Sequence, residues 1–181
     1  MYMDFTDWNY LINGTQRQQS VFQVLEVLEL RQLFVEYQPI LVGTIPIKID
    51  IPSSDIDILI CAKDLIEMES LFKKLFSTFD HFSSRYFEVQ NKPSLTCSFD
   101  FMGEKIEIFA QDCPTTLQYG YLHMIFEQHV LQREGESFRQ KILDLKRNGI
   151  KTEAAFCQLL SLDGDPFESL LNYGRELGLC T

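Results

Sequence analysis

Asp55-Ile56-Asp57-Ile58 sets two carboxylates two residues apart between isoleucines. Ile56, Ile58 and Ile60 alternate with Asp55, Asp57 and Leu59. A period of two predicts a strand with one aliphatic face and one face carrying both acids. Like charges side by side on a strand repel, and Asp is a poor strand residue, so the pattern carries a cost. A divalent cation held between the carboxylates relieves it. Oxygen donors of this kind suit Mg²⁺ (or Mn²⁺), whose remaining positions go to water or phosphate oxygens. The plainer alternative is an edge strand with a solvated face. Two features favour the cation. The apolar run Pro39-Ile40-Leu41-Val42 ends in Gly43-Thr44, a tight turn where the backbone can approach a phosphate closely. Glu107 stands in a second alternating run, Ile106-Glu107-Ile108-Phe109. Asp55, Asp57 and Glu107 on neighbouring strands, facing a glycine turn, form the layout of a two-metal phosphoryl-transfer site. Ser53 and Ser54 can donate to a carboxylate or a phosphate, or simply make the turn before Asp55.

These positions resemble the nucleotidyltransferase superfamily. Its pattern is a hydrophobic residue, Gly, then Gly or Ser, a gap, an Asp-x-Asp with hydrophobic neighbours, and a third acid on a later strand. Val42, Gly43, Thr44, Asp55-Ile56-Asp57-Ile58 and Glu107 match it, with ten residues between Thr44 and Asp55. The string GTIPIKIDIPSSDIDILI also resembles an uncharacterised bacterial family, a domain of unknown function with this predicted fold. That likeness runs from about Gly14 to Asp165, through RQQ at Arg17, EIFAQ at Glu107 and KTEAAF at Lys151. There are departures. Thr44 stands where Ser or Gly is usual; it keeps a hydroxyl and adds a methyl group and χ1 stiffness. Small members often carry Arg four residues after the glycine; here that residue is Ile47, and the nearest cation is Lys48. Ile45 to Pro52 is β-branched and Pro-bounded, which disfavours the short helix usual there, although Pro46 suits a first helical position.

The resemblance implies an enzyme that moves a nucleoside monophosphate from a nucleoside triphosphate to a hydroxyl acceptor. Asp55 and Asp57 would hold Mg²⁺ (or Mn²⁺) and the nucleotide. Glu107 would complete a second metal site or act as base. Gly43 and Thr44, with Ser54 and Lys48, would contact the phosphates. Thr44 and the absent Arg motivate an alternative: a non-catalytic nucleotide- or partner-binding module that keeps the fold. A sugar-nucleotide glycosyltransferase also uses Asp-x-Asp, but the chain is short for the usual nucleotide-binding half.

A chain of 181 residues is long enough for a real core and is expected to be one domain. Its sheet half is expected at about residues 15–112 and its helical half at about 113–181. The formal charge of −10 disfavours non-specific nucleic-acid binding, which Lys and Arg drive. A small-molecule or protein acceptor fits the sign better than nucleic acid. The five cysteines, Cys61, Cys97, Cys113, Cys157 and Cys180, share no metal-ligand spacing and read as reduced, hence a cytoplasmic protein. Met1 to Asp7 shows no signal-peptide pattern, and no apolar run reaches membrane-spanning length.

The elements that must position the acids follow from periodicity. Thr15 and Gln18 form a capping-box pattern before an apolar stripe, predicting a helix from about Thr15 to Tyr37, broken near Leu28. Leu65 to Phe79 reads as a helix. Arg85 to Val89, Leu95 to Phe101 and Lys105 to Ala110 read as strands, the last two joined as a hairpin near Gly103. A Gly103-Glu104 turn sets Asp100 opposite Glu107; a Met102-Gly103 turn sets it opposite Lys105, as a cross-strand ion pair. Leu117 to Arg133, Phe138 to Arg147 and Lys151 to Ser161 read as helices. Asp165, Pro166 and Glu168 open a last one, so Asp165 reads as a cap and not a metal ligand. The expected class is α+β: a small mixed sheet with flanking helices and a C-terminal helical half. His81, His123 and His129 share no metal-ligand spacing and read as surface or satisfied core residues. Arg133, Arg139, Lys141, Lys146, Arg147 and Lys151 form the densest basic region, able to reach phosphates but read as a solvated helical face.

Overall fold

The computed structural model describes residues 4–89 and 91–179. Cys180 and the first three residues, on which the thiol and leader expectations partly rest, lie outside the described residues. The chain forms two compact units. One comprises residues up to Val42 together with Asp55–Gln118; the other comprises Gly43–Ser54 and the chain from Tyr119 onward.

The first unit is built on a five-stranded mixed sheet in the order β1-β2-β5-β4-β3. Its strands are β1 (Ile40–Val42), β2 (Ile56–Cys61), β3 (Asp80–Val89), β4 (Lys92–Phe101) and β5 (Glu104–Gln111). β2 and β5 run parallel; every other neighbouring pair is antiparallel. The helix expected from Thr15 is α1 (Gln16–Val27), closed at its start by the reciprocal Thr15–Gln18 capping box. It breaks where Glu29 takes φ 51°, and a single turn, α2 (Leu30–Leu33), follows. α3 (Leu65–Phe76) is capped by Asp64, whose carboxylate accepts from the amides of Ile66 and Glu67.

Alternation sorts the sheet faces as the isoleucines require. Ile56, Ile106 and Phe99 lie in one cross-strand row and are fully buried. Phe99 stacks on Phe76 of α3 with ring centroids 4.4 Å apart, and Phe34 and Phe72 extend the aromatic cluster. Each buried aromatic contributes roughly 1.5–3 kcal/mol by leaving water, so this face anchors the unit. The next row, Asp57, Glu107, Ser98 and Ser83, points to the opposite face and is polar.

The second unit is helical: α4 (Tyr119–Glu134), α5 (Glu136–Arg147), α6 (Thr152–Leu160) and α7 (Pro166–Glu176). Asp165 caps α7 by accepting from the amides of Phe167 and Glu168, as its sequence signature requires. The architecture is α+β, a small mixed sheet with flanking helices and a C-terminal helical half. Among the described residues no helix is long and apolar enough to cross a membrane.

Candidate functional site

Asp57 and Glu107 are direct partners in the β2–β5 ladder. Paired residues on adjacent strands project to the same side, so the two carboxylates stand next to each other. Asp55 lies one residue before β2 begins, two positions from Asp57. Its carboxylate accepts a hydrogen bond from the Lys105 ammonium at 2.5 Å. Lys105 sits two residues before Glu107 on β5, hence on the same face. The three acids expected from the sequence therefore share one patch of the first unit, and a lysine that spacing did not single out joins them.

Charge governs this patch. Burial pushes the Glu107 carboxyl above its ordinary range, Lys105 pulls it back, and Asp55 pushes it up again. Lys105 is held above its ordinary value by the Asp55 hydrogen bond first, and then by the field of Asp55, Glu107 and Asp57. The four side chains carry a formal balance of two negative charges. That balance and the all-oxygen donor set fit a dication such as Mg²⁺ or Mn²⁺.

The remaining expected residues, Gly43, Thr44, Lys48 and Ser54, belong to the second unit. Gly43 has φ 79°, a conformation that favours glycine. The segment after it is a turn and not a helix, as its β-branched composition requires: the Ile49 amide donates to the Thr44 carbonyl and the Lys48 amide to that of Ile45. Thr44 Oγ1 donates to Ser54 Oγ at 3.2 Å, and Ser54 Oγ accepts from the Ile51 amide at 3.0 Å. Lys48 is exposed, with φ 61°.

Two of the basic residues read as a solvated face are instead turned onto this loop. Arg139 Nη1 donates to the carbonyls of Ile47 at 2.5 Å and Lys48 at 3.2 Å. Lys146, 7% exposed, donates from Nζ to the Ile49 carbonyl at 2.7 Å. They hold the loop through its backbone, so no side-chain pattern in the loop announces them.

The hairpin register is settled by the Met102-Gly103 turn, where both residues have positive φ (53° and 79°). Asp100 stands opposite Lys105. The ion pair expected from that register is replaced by two others: Lys105 turns to Asp55, and Asp100 meets His81 Nδ1 at 2.7 Å.

His123 departs from its expected role. It is 4% exposed, yet neither ring nitrogen has a hydrogen-bond partner. Burial lowers its pKa to about 4, so the imidazole is neutral. Glu127, one helical turn on, is also buried, and burial raises its carboxyl well above the ordinary range. The i, i+4 spacing of His and Glu on one helix is the signal that sequence reading passed over.

Comparisons with known proteins agree with the fold. The family described as "Domain of unknown function (DUF4269)" matches residues 23–173. No curated protein matches the sequence. Among solved structures, the polymerase core of TRAMP, an RNA surveillance complex, is similar at 15% identity and TM-score 0.52, covering 92% of this chain and 51% of that one. The Cid1 poly(U) polymerase with MgGTP bound is similar at 9% identity and TM-score 0.50, over 77% of this chain and 46% of that one. The GLD-2/RNP-8 complex is similar at 15% identity and TM-score 0.50, over 82% and 59%. The chain thus spans about half the length of the solved chains it matches. At such identities the likeness establishes a nucleotidyltransferase-like fold. It lends no support to the expectation that nucleic acid is disfavoured, because two of these neighbours are named for RNA polymerisation or RNA surveillance.

Proposed function

The chain belongs to the DUF4269 family, and from that premise we propose that it is a metal-dependent nucleotidyltransferase, moving a nucleoside monophosphate from a nucleoside triphosphate to a hydroxyl acceptor. The observation that carries the reading is the direct pairing of Asp57 with Glu107 across parallel strands, with Asp55 drawn into the same patch by Lys105. Asp55, Asp57 and Glu107 would hold the metal. Bound there, Mg²⁺ or Mn²⁺ would offset phosphate charge and orient the α-phosphate.

The chain's own groups supply the rest. By the resemblance, Gly43 would present its backbone, and Ser54 and Lys48 their donors, to the leaving pyrophosphate, with Thr44 orienting Ser54 through its hydroxyl. If Glu107 is the base and not a metal ligand, its carboxylate, whose pKa burial raises, would accept the proton of the attacking hydroxyl as oxygen bonds to the α-phosphorus and the bond to pyrophosphate breaks. Positioning and charge neutralisation provide most of the acceleration in such a reaction. A small molecule or a protein side chain is the acceptor class that fits the charge of −10. Among the described residues, Cys61, Cys97, Cys113 and Cys157 are free thiols, which is compatible with the cytoplasmic setting expected from the sequence.

Lys105 favours a second reading. Its ammonium neutralises Asp55 where the enzyme would use a metal, as a non-catalytic nucleotide- or partner-binding module would arrange it. Thermal unfolding with Mn²⁺ and nucleoside triphosphates separates the two. The enzyme reading expects stabilisation that needs both ligands, about 2.7 kcal/mol near 100 Kd, and that disappears in Asp57→Ala. Nucleotide binding indifferent to metal establishes the module instead.

A further inference from the structure

The helical unit holds a cluster of donors separate from the acids of the sheet. His123 and Glu127 lie one turn apart on α4, and Glu153 lies in the first turn of α6. One ring nitrogen of His123 and one carboxylate oxygen from each glutamate all lie within 4.8 Å of one another. His123 and Glu127 are 4% and 3% exposed, while Glu153 is half-buried. Phe167 packs against the imidazole with centroids 4.0 Å apart.

Buried polar groups are nearly always hydrogen-bonded, and an imidazole with both nitrogens unmatched inside a protein demands a reason. A buried pairing of Glu127 with Lys146, whose field acts on that carboxyl, would account for Glu127. It accounts neither for the two nitrogens of His123 nor for the approach of Glu153. The Glu153 carboxylate moreover raises the cost of ionising Glu127. A dication answers all three facts at once.

We propose that His123, Glu127 and Glu153 bind a first-row transition dication of the Zn²⁺ type, which ties α4 to α6 and keeps water in its remaining position. One imidazole nitrogen with two carboxylate oxygens is a donor set for Zn²⁺ or Co²⁺, and the nitrogen sets it apart from all-oxygen sites that suit Mg²⁺. Around such an ion, donors at about 2.1 Å stand roughly 3–3.5 Å apart. Closing donors from as much as 4.8 Å apart to that spacing takes a movement of up to about 1.5 Å, within reach of side-chain rotation, to which the half-buried Glu153 is best placed to contribute.

The test uses the full chain, stripped with a chelator and titrated with Co²⁺, whose visible absorption reports its ligands. Asp57→Ala serves as the parent, so that binding at the sheet acids is weakened. The expected result is one Co²⁺ per chain, displaced by Zn²⁺, with affinity falling about tenfold or more in Glu153→Gln and in His123→Gln. Zn²⁺ raises the unfolding temperature of the parent and not of Glu153→Gln. Glu153 is half-buried on a first helical turn, so its variant remains a valid test if His123→Gln does not fold. Equal Co²⁺ affinity in Glu153→Gln and the parent overturns the proposal. So does a thiolate charge-transfer band, which would assign the ion to cysteine, or binding that is absent from Asp57→Ala.

Discussion

Lys105 is where the enzyme and the module diverge. It is half exposed, so its bond to Asp55 contributes little to stability, at most about 1 kcal/mol. Its larger effect is on the charge of the acid patch, where its ammonium stands against three carboxylates. Lys105→Met removes that ammonium and leaves the fold nearly as stable. In the enzyme reading, Mn²⁺ then binds roughly threefold to tenfold more tightly, because an opposing cation is gone. Electron paramagnetic resonance of free Mn²⁺ measures this directly. Unchanged or weaker Mn²⁺ binding counts against a metal site in this patch and favours the module. His81 offers a simpler electrostatic check, on the β4 residue that faces Lys105. Its hydrogen bond to Asp100, then the field of Asp100 and of Asp80, raise its pKa above 6.5. The stabilisation from that pairing is complete below 6.5 and is lost as pH rises through the raised value. A nuclear magnetic resonance titration should place the His81 midpoint above 6.5 and return it toward that value in Asp100→Asn. A midpoint that ignores the Asp100 change rules the pairing out in solution.

Elements were legible where local chemistry alone decides them. The alternation of Ile56, Ile58 and Ile60 gave β2, the Thr15–Gln18 box gave the start of α1, and Asp165-Pro166 gave the start of α7. β3 begins at Asp80, five residues before the expected Arg85. Its first half is a polar edge segment with a bulge, and carries no apolar alternation to read. The hairpin register depended on Met102 adopting positive φ, which its side chain disfavours and no composition rule foretells. The Lys105–Asp55 bond joins residues fifty positions apart, so only the parallel pairing of β2 and β5 reveals it. Gly174 shows the same limit between helices. In sequence it is a weak point in α7, worth about 1 kcal/mol less than alanine. In the fold, a Cβ there would sit 2.3–2.4 Å from ring carbons of Phe126 on α4, whose side chain is fully buried. Overpacking of that kind costs about 1–3 kcal/mol, more than the propensity gain. Gly174→Ala should therefore lower the urea midpoint with an unchanged m-value, and an equal or higher midpoint would show that α4 and α7 are not packed this closely.

Across the whole chain, the proposed acceptor class rests on charge alone. A formal charge of −10 and an isoelectric point near 4.7 set a repulsive field against any polyanion. Binding to nucleic acid would need a local basic groove, and the densest basic stretch is largely engaged. Arg139 and Lys146 hold backbone carbonyls of the 43–54 loop, Arg147 pairs with Asp144, and Arg133 pairs with Glu134 and lies over the Tyr173 ring. Each phosphate contact made by a nucleic-acid binder releases counterions, so true binding is strong at low salt and falls steeply as salt rises. Fluorescence anisotropy with a single-stranded RNA should therefore find a Kd weaker than about 10⁻⁴ M at physiological ionic strength, the weak end of ordinary non-specific affinity. Nucleoside triphosphate turnover should likewise be unaffected by added RNA and increased by a hydroxyl-bearing small molecule or protein. Micromolar RNA affinity with a steep salt slope would reverse the argument. The charged loop-holding residues would then have to yield to phosphates, and the acceptor would join the class for which two of the solved neighbours are named.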